Sequence, residues 1–305
     1  MGQRGRIPEQ GGASVTSSPQ QPQEQPSTYF VQDRSNEAEL TRLHIQDQML
    51  TKAMGGVLPE QPDPSRFSRI LDVGCGTGDW LIEAAQTYPH LSLLIGVDAS
   101  RNLLAYARDQ AEAQGVSERV EFQVMDALRR LDFPRHYFDL VNHRAAGSWL
   151  RTWDWPKLLS EYQRVCKPGG VIRLTESDLM AYSSSEALTR LFELLVEAFH
   201  QAGHFFTAKS DGVVSELARL LQQHGVQQVQ TRAYKMEFRM ATESGQHFAE
   251  DMRLAFRTSL PFIRKWRGPS EDYEELYQRM LNDLRQPNLV ITWPMLTAWG
   301  TNVGA

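Results

Sequence analysis

Two hydrophobic patterns alternate along the first part of the chain. Short apolar runs predict β-strands at about 68–73, 91–98, 119–126, 138–142 and 171–176. Apolar residues at helical spacing predict helices between them, at 79–88, 100–114 and 155–166. A Lys-Pro-Gly-Gly stretch at 167–170 predicts a turn before the fifth strand. Strands that alternate with helices indicate an α/β fold, in which right-handed crossovers build a doubly wound parallel sheet.

The pattern changes after Ser177. Helical spacing covers 184–201, 211–224, about 243–260 and 270–285, whereas 226–238 and 289–297 predict two more strands. A strand, a helical insertion and a final strand predict a hairpin-like end to the sheet. The aromatic stretch at 203–206 either caps a pocket or buries a corner, and the pattern favours the second.

The N-terminal part divides into a tail and a helix. Residues 1–28 are rich in Gly, Ser, Gln and Pro, which predicts a disordered tail because few apolar groups offset its ordering entropy. A helix is predicted from an N-cap at Ser35 to Met54, and it either forms a lid over the sheet or only packs against it. We therefore expect a lid helix and linker at 29–66, a cofactor-binding core at 67–178, and a helical cap with the final strands at 179–305.

A glycine turn follows the first predicted strand directly. It contains Gly74, Cys75, Gly76 and Gly78, and a helical pattern begins after it, which is a context typical of nucleotide binding. The third glycine comes one position earlier than in a dinucleotide motif, and Asp79 takes the last position. A carboxylate there, with Asp72 before the turn, disfavours a diphosphate and tolerates a sulfonium and an ammonium group. The turn therefore favours S-adenosylmethionine over NAD.

Polar residues also end the later strands, where open α/β sheets bind ligands. Asp98 suits ribose hydroxyls, or else a helix cap, which Ser100 could supply instead. Asp126 and the backbone of Ala127 suit an adenine edge, or again a cap. His143 is the best-placed general base, although a structural histidine is the slightly favoured alternative. The cofactor-binding candidates are Tyr29, Asp72, Gly74, Cys75, Gly76, Gly78, Asp98, Ala99, Asp126, Ala127 and Asn142.

Composition narrows the class of protein. The 305 residues are 41% hydrophobic, and a net charge of −5 gives no basic balance that argues for nucleic acid. Two cysteines, Cys75 and Cys166, are too few for a disulfide framework or a metal cluster, so we expect no metal and a reducing, cytoplasmic location. No stretch approaches the roughly 18 apolar residues of a membrane span.

These motifs together resemble class I S-adenosylmethionine-dependent methyltransferases. The resemblance rests on Asp-Val-Gly-Cys-Gly-Thr-Gly from Asp72, then Asp98, Asp126-Ala127 and the Lys-Pro-Gly-Gly stretch, in that order and spacing. It implies a Rossmann-like seven-stranded sheet whose last strand is antiparallel. It also implies that the glycine turn holds the methionine and ribose, that Asp98 holds the ribose hydroxyls and Asp126 with Ala127 the adenine, and that Asn142 and His143 border the methyl group. The segment from Tyr29 more weakly resembles relatives of fungal secondary-metabolism regulators and ubiquinone-type enzymes.

Three functions are compatible with these motifs. The first is methyl transfer to a small molecule, most simply a secondary metabolite, and the aromatic cap and acidic surface favour it. The second is a protein methyltransferase or regulator, which needs an open groove. The third is a non-catalytic module that binds S-adenosylmethionine. Closure of 179–206 and 243–285 over the methyl site would favour the first over the second.

Overall fold

The computed structural model describes residues 29–31, 37–208, 212–268 and 272–304. The predicted disordered tail and the predicted N-cap at Ser35 lie outside these residues. Within them, no helix is long and apolar enough to cross a membrane.

Seven strands form one sheet in the order β3-β2-β1-β4-β5-β7-β6. The first five strands pair in parallel, and β7 runs antiparallel to both β5 and β6. The strands are β1 Arg69–Val73, β2 Leu93–Asp98, β3 Val120–Val124, β4 Phe138–Arg144, β5 Cys166–Glu176, β6 Gln227–Arg239 and β7 Val290–Thr301. The predicted Rossmann-like sheet with an antiparallel last strand and a hairpin-like end is confirmed.

Nine helices of the described residues pack against the sheet or against one another. They are α1 Glu37–Met54, α2 Asp79–Thr87, α3 Arg101–Ala113, α4 Trp155–Val165, α5 Glu186–Gln201, α6 Leu217–Gln223, α7 Glu243–Thr258, α8 Leu260–Trp266 and α9 Tyr273–Asp283. The helix predicted at about 243–260 is present as α7, but the sequence pattern missed the short helix α8 that follows it. Helix α7 ends at Thr258, and α8 begins at Leu260 with Pro261 in its first turn, where proline is favoured.

The sheet reverses its winding beside β1. Strand β1 lies between β2 and β4, with Asp72 opposite Gly96 on one side and Asn142 on the other. Ile70, Leu71 and Val73 are buried between the helical layers, which explains the short apolar run in the sequence. Ligands of such sheets bind outside the carboxyl ends of the strands at this switch point.

The predicted turn at 167–170 is instead part of strand β5. Phe138 pairs with Cys166 and Leu140 with Val171, so the extra residues form an irregular bulge within the strand. Gly169 has φ of +80°, and its N–H donates to the carbonyl of Asn302 at 2.7 Å. The carbonyl of Asn302, just after β7, thus accepts a hydrogen bond from the 167–170 stretch and keeps this stretch next to the sheet.

Candidate functional site

A cavity of about 460 Å³ lies between the carboxyl edge of the sheet and the helices above it. Its wall includes residues of the glycine turn, the ends of β2 to β5, strand β7 and helices α1, α5 and α7. The sequence-predicted site residues in the wall are Tyr29, Gly74, Cys75, Gly76, Asp98, Ala99, Asp126 and Ala127. Asp72, Gly78, Asn142 and His143 are not among the residues that line it.

Asp98 ties the tip of β2 to the glycine turn. Its Oδ2 accepts the N–H of Gly76 at 3.2 Å, and its Oδ1 accepts the N–H of Ser100 at 2.7 Å. Ser100 is the residue that caps α3, because its hydroxyl accepts the N–H of Leu103. The helix cap is thus supplied without Asp98, whose carboxylate lines the cavity.

Asp126 occupies a turn after β3. Its Oδ1 accepts the N–H of Leu128 at 2.9 Å, and its Oδ2 lies 3.3 Å from Nε of Arg129. Residues 127–128 form a turn and not a helix, so Asp126 does not have the alternative role of a helix cap. Asp126 therefore accepts a hydrogen bond within its own turn and also lines the cavity beside Ala127.

A buried polar chain supports the glycine turn from below. Asn142 donates from Nδ2 to Asp72 at 2.7 Å, and its Oδ1 accepts from Arg173 at 2.8 Å. Arg173 in turn donates to Glu60 at 2.8 Å. Burial raises the pKa of Asp72 to about 7, although the bond from Asn142 and the charge of Arg144 oppose this shift. Asp72 and Asn142 belong to this buried chain and do not line the cavity.

His143 lies behind the cavity wall and not in it. The side chain is fully buried, and its Nδ1 is 2.9 Å from the hydroxyl of Tyr162. Its Nε2 is 3.2 Å from Oε1 of Glu176, off the line of a hydrogen bond. The position after β4 does not reach the cavity because β4 turns the ring toward helix α4. The structure therefore favours the structural alternative over direct contact of His143 with an acceptor.

Asp79 does not face the cavity, contrary to its predicted role at the glycine turn. Asp79 begins α2, is 6% exposed, and its Oδ1 lies 2.8 Å from Nδ1 of His44 on α1. The hydrogen bond with Asp79 raises the pKa of His44. Asp79 is thus paired with a residue of α1 and lies outside the cavity wall. The carboxylates that line the cavity near the glycine turn include Asp98 and Asp126.

Helix α1 is joined to the cap by a buried charged cluster. Arg42 donates to both oxygens of Glu39 at 2.8 Å and to Asp251 of α7 at 3.3 Å. Tyr29 donates to Glu39, and Gln46 donates to Asp251 at 3.1 Å. Four polar or amphipathic residues of this segment, Tyr29, Arg42, His44 and Gln46, are candidates for contact with a ligand. His44 is the member of this set that does not line the cavity.

The other end of the cavity is apolar and comes from distant parts of the chain. Its lining includes Leu179, Phe192, Leu195, Phe199, Phe205, Met252, Phe256, Trp293 and Met295. Phe205 of the aromatic stretch at 203–206 lines the cavity. The stretch therefore does more than bury a corner of the fold, which was the favoured prediction. Of three clustered tryptophans, Trp149 lines the cavity, Trp153 is 60% exposed and Trp155 is buried beside His143. Sequence reasoning missed most of this wall because helical apolar spacing does not distinguish core from pocket.

The strand order and the glycine turn at the switch point define a class I methyltransferase fold. A family model described as a methyltransferase domain matches residues 70–170. The demethylmenaquinone methyltransferase of Bacillus cytotoxicus is 31% identical over 181 residues, which cover 55% of this chain and 73% of that protein. Methyltransferase pytC of Aspergillus terreus is 28% identical over 159 residues, 52% of this chain and 44% of that protein. A crystal structure of a putative methyltransferase from Bacillus halodurans shares the fold, with a TM-score of 0.50 at 18% identity, and covers 85% of this chain and 98% of its own.

The chain belongs to the S-adenosylmethionine-dependent methyltransferases, and S-adenosylmethionine is its cofactor. The glycine-turn end of the cavity fits that molecule. A Cβ added at Gly76 would meet no atom within 4 Å, so the turn faces open space that a ligand can enter. The carboxylates of Asp98 and Asp126 beside it suit the hydroxyl and amino donors and the positive charge of this cofactor.

Proposed function

We propose that the chain transfers a methyl group from S-adenosylmethionine to a small, largely apolar acceptor, most simply a secondary metabolite. The observation that carries the proposal is the continuity of one cavity from the glycine turn to the aromatic wall of the cap. Pockets for small organic molecules are mostly apolar clefts of roughly 300–1,000 Å³ with a few placed polar groups. The cavity of about 460 Å³ matches that description.

The cofactor roles follow from the positions in the wall. In this proposal the turn at Gly74, Cys75 and Gly76 holds the methionine portion, with Tyr29 beside it. Asp98 and Ala99 hold the ribose, and Asp126 with Ala127 holds the adenine. Asp72, Gly78 and Asn142 lie outside the wall, so we assign them to support of the turn and not to contact with the cofactor.

The reaction demands positioning more than covalent chemistry from the protein. When bound, the cofactor supplies a methyl group on a sulfonium, which loses its charge on transfer. The chain must hold the acceptor in line with that methyl group, about 3–3.5 Å from it, and exclude water. Phe199, Phe205 and Phe256 line the cavity and are themselves nearly inaccessible to solvent, so they suit both tasks.

Closure of the cap favours a small molecule over a protein side chain. Residues from 179–206 and from α7 line the same cavity as the glycine turn, and α1 covers it with Leu40, Leu43 and Leu50. A protein substrate needs a groove that admits a backbone. The similarity to an enzyme named for demethylmenaquinone also supports an apolar acceptor. Cytoplasmic location stays a prediction from the sequence.

Calorimetry with S-adenosylmethionine tests the cofactor half of the proposal. Asp98→Ala should weaken binding roughly 10- to 100-fold, since a hydrogen bond to a charged group contributes about 1.5–3 kcal/mol. Asp109→Ala is the matched control, because Asp109 is an exposed acidic residue of α3 that does not line the cavity. Equal affinities of the two variants would contradict the role of Asp98.

A transfer screen tests the acceptor half. The purified protein is incubated with methyl-labelled cofactor and, in parallel, with a panel of apolar metabolites and with peptide mixtures. Label in the metabolite fraction is the expected result. Label in peptides alone would support a protein methyltransferase, and tight cofactor binding without any transfer would support a binding module.

A further inference from the structure

A buried carboxylate forms part of the cavity wall. Glu176 ends strand β5, is 1% exposed, and lines the cavity. Its Oε1 accepts the N–H of Ala146 at 2.7 Å, and the N–H of Gly147 lies 3.3 Å from Oε1 and 3.2 Å from Oε2. These two amides begin the 3-10 turn Ala146–Ser148, so they hold the carboxylate without neutralising it.

The other wall carboxylates have charged partners or proposed roles. Glu39 receives two bonds from Arg42, one from Tyr29 and one from Thr258. Asp47 is paired with Arg144, and Asp98 and Asp126 are assigned to the cofactor in the proposed function. Glu176, in contrast, has no arginine or lysine partner among the described ion pairs, and the nearby basic side chain is the imidazole of His143. Burial of a charge is costly unless it is paired or hydrogen-bonded, so Glu176 is the remaining wall carboxylate that can receive an acceptor.

The free side of Glu176 faces the apolar cap. A Cβ added at Gly147 would lie 3.3 Å from Oε2 of Glu176 and 3.5 Å from Cε1 of Phe205. Gly147 therefore marks a point where the carboxylate and the aromatic wall approach each other. Within the described part of the chain, Oε2 accepts one hydrogen bond, from the N–H of Gly147. A carboxylate oxygen can accept two hydrogen bonds, so Oε2 can accept one more.

A polar pair lies behind the carboxylate. Burial raises the pKa of Tyr162 well above its ordinary value, so its hydroxyl keeps its proton and can donate to Nδ1 of His143, 2.9 Å away. A neutral imidazole that accepts at Nδ1 carries its proton on Nε2. That nitrogen is 3.2 Å from Oε1 of Glu176 without a hydrogen bond between them, so it acts on the carboxylate through its positive edge alone.

We propose that Glu176 binds the hydroxyl group of an otherwise apolar acceptor and takes its proton during methyl transfer. In this step the acceptor O–H bond breaks, its proton moves to Oε2, and the oxygen forms a bond to the methyl carbon. The carbon–sulfur bond breaks and its electron pair stays on sulfur, so a sulfonium and a carboxylate both become neutral. His143 and Tyr162 are positioning residues, and the assignment rests on the proposed function.

Paired ligands test the binding part without turnover. A panel of aromatic and terpenoid alcohols, each with its own methyl ether, is titrated against the full chain by calorimetry in the presence of S-adenosylhomocysteine. At least one alcohol should bind the wild type about tenfold more tightly than its ether, as expected for a charge-assisted hydrogen bond. Glu176→Gln should lose most of that preference.

The matched control is Thr175→Val. Thr175 is the preceding residue of β5, is fully buried, and bonds to Thr297 outside the cavity wall. It should keep the alcohol preference of the wild type. If no alcohol binds the wild type more tightly than its ether, or if Glu176→Gln retains the full preference, the inference is wrong.

A second set of variants tests the positioning residues. His143→Leu should reduce both the alcohol preference and turnover, and His143→Gln should restore part of both because its amide nitrogen can replace Nε2. Selective ¹⁵N labelling of histidine reports the tautomer: His143 should carry its proton on Nε2 in the wild type and lose that preference in Tyr162→Phe. A His143 protonated on Nδ1 in the wild type, or equal behaviour of the Leu and Gln variants, would overturn this arrangement.

The two proposals fail in different ways. A wild type that binds no S-adenosylmethionine, or transfers no methyl group to any apolar acceptor, contradicts the proposed function. A wild type that binds cofactor and methylates an acceptor, while Glu176→Gln does so with unchanged kcat and KM, contradicts only the role of Glu176.

Discussion

Alanine substitutions at two glycines of the same turn should affect different properties, stability at one position and cofactor affinity at the other. Gly76 and Gly78 both have positive φ, +55° and +76°. Gly76 lines the cavity and faces open space, whereas an added Cβ at Gly78 would lie 2.5 Å from Cζ of Phe122 and 3.0 Å from Cβ of Ala107. We expect Gly78→Ala to reduce stability and Gly76→Ala to reduce cofactor affinity.

The magnitudes follow from strain and from packing. An L-residue in the left-handed region costs about 1–2 kcal/mol, which applies to both variants. Phe122 is 6% exposed on β3, so it cannot move into solvent, and overpacking there adds about 1–3 kcal/mol. Gly78→Ala should therefore lose about 2–5 kcal/mol of unfolding free energy. At Gly76 the same intrusion falls on the bound cofactor and should weaken binding roughly 5- to 150-fold.

Gly115→Ala provides the control for strain alone. Gly115 follows α3, has φ of +68°, and an added Cβ would meet no atom within 4 Å. Urea denaturation gives the free energies of unfolding, and calorimetry gives the affinity for S-adenosylmethionine. Gly76→Ala should match Gly115→Ala in stability and differ from it in affinity. If Gly78→Ala is no less stable than Gly115→Ala, or Gly76→Ala binds like the wild type, the geometry of the turn has been misread.

Two further predictions concern buried charges. Arg42→Met should cost about 3–5 kcal/mol of stability, since it leaves Glu39 and Asp251 buried without their cation. Asp251→Asn, measured by the same urea denaturation, should cost much less, and equal losses of the two variants would refute this prediction. Because the pKa of Asp72 rises from 3.8 to about 7 on folding, the native state binds the extra proton between these values. Stability should therefore fall as pH rises from about 4 to 7, and Asp72→Asn should flatten that slope; an unchanged slope would refute it.

The glycine-turn end of the cavity was predictable because its signals are local. A buried strand, a glycine turn and a helix follow one another within one stretch, and Asp98 and Asp126 come directly after the next two strands. Parallel strands bring their carboxyl ends to one edge, so the sequence order already implies that these groups meet. The structure places Gly76 and Asp98 in direct contact through a hydrogen bond.

The apolar end of the cavity was not predictable for the opposite reason. Its wall joins residues as distant in sequence as Leu40 and Met295, and an apolar side chain at helical spacing looks the same in a core and in a pocket. His143 shows a related limit. The sequence located it at the end of β4, but only the packing of α4 shows that its ring points at Tyr162 and not at the cavity. Glu176 gave no separate signal, since strand five was expected to end there without a role.

The two buried carboxylates at the cavity wall differ in a way that separates support from chemistry. Glu39 has an arginine that cancels its charge and joins α1 to α7 through Asp251, so its carboxylate serves the closure of the lid. Glu176 is held by backbone amides, which are dipoles and leave its charge in place. In the proposed reaction a sulfonium bound beside Glu176 would lower the cost of that charge, and transfer of the methyl group would remove the sulfonium. Uptake of the acceptor proton by Glu176 in the same step would remove the negative charge as the positive charge disappears. The proposed step therefore leaves neither charge buried without its counterpart.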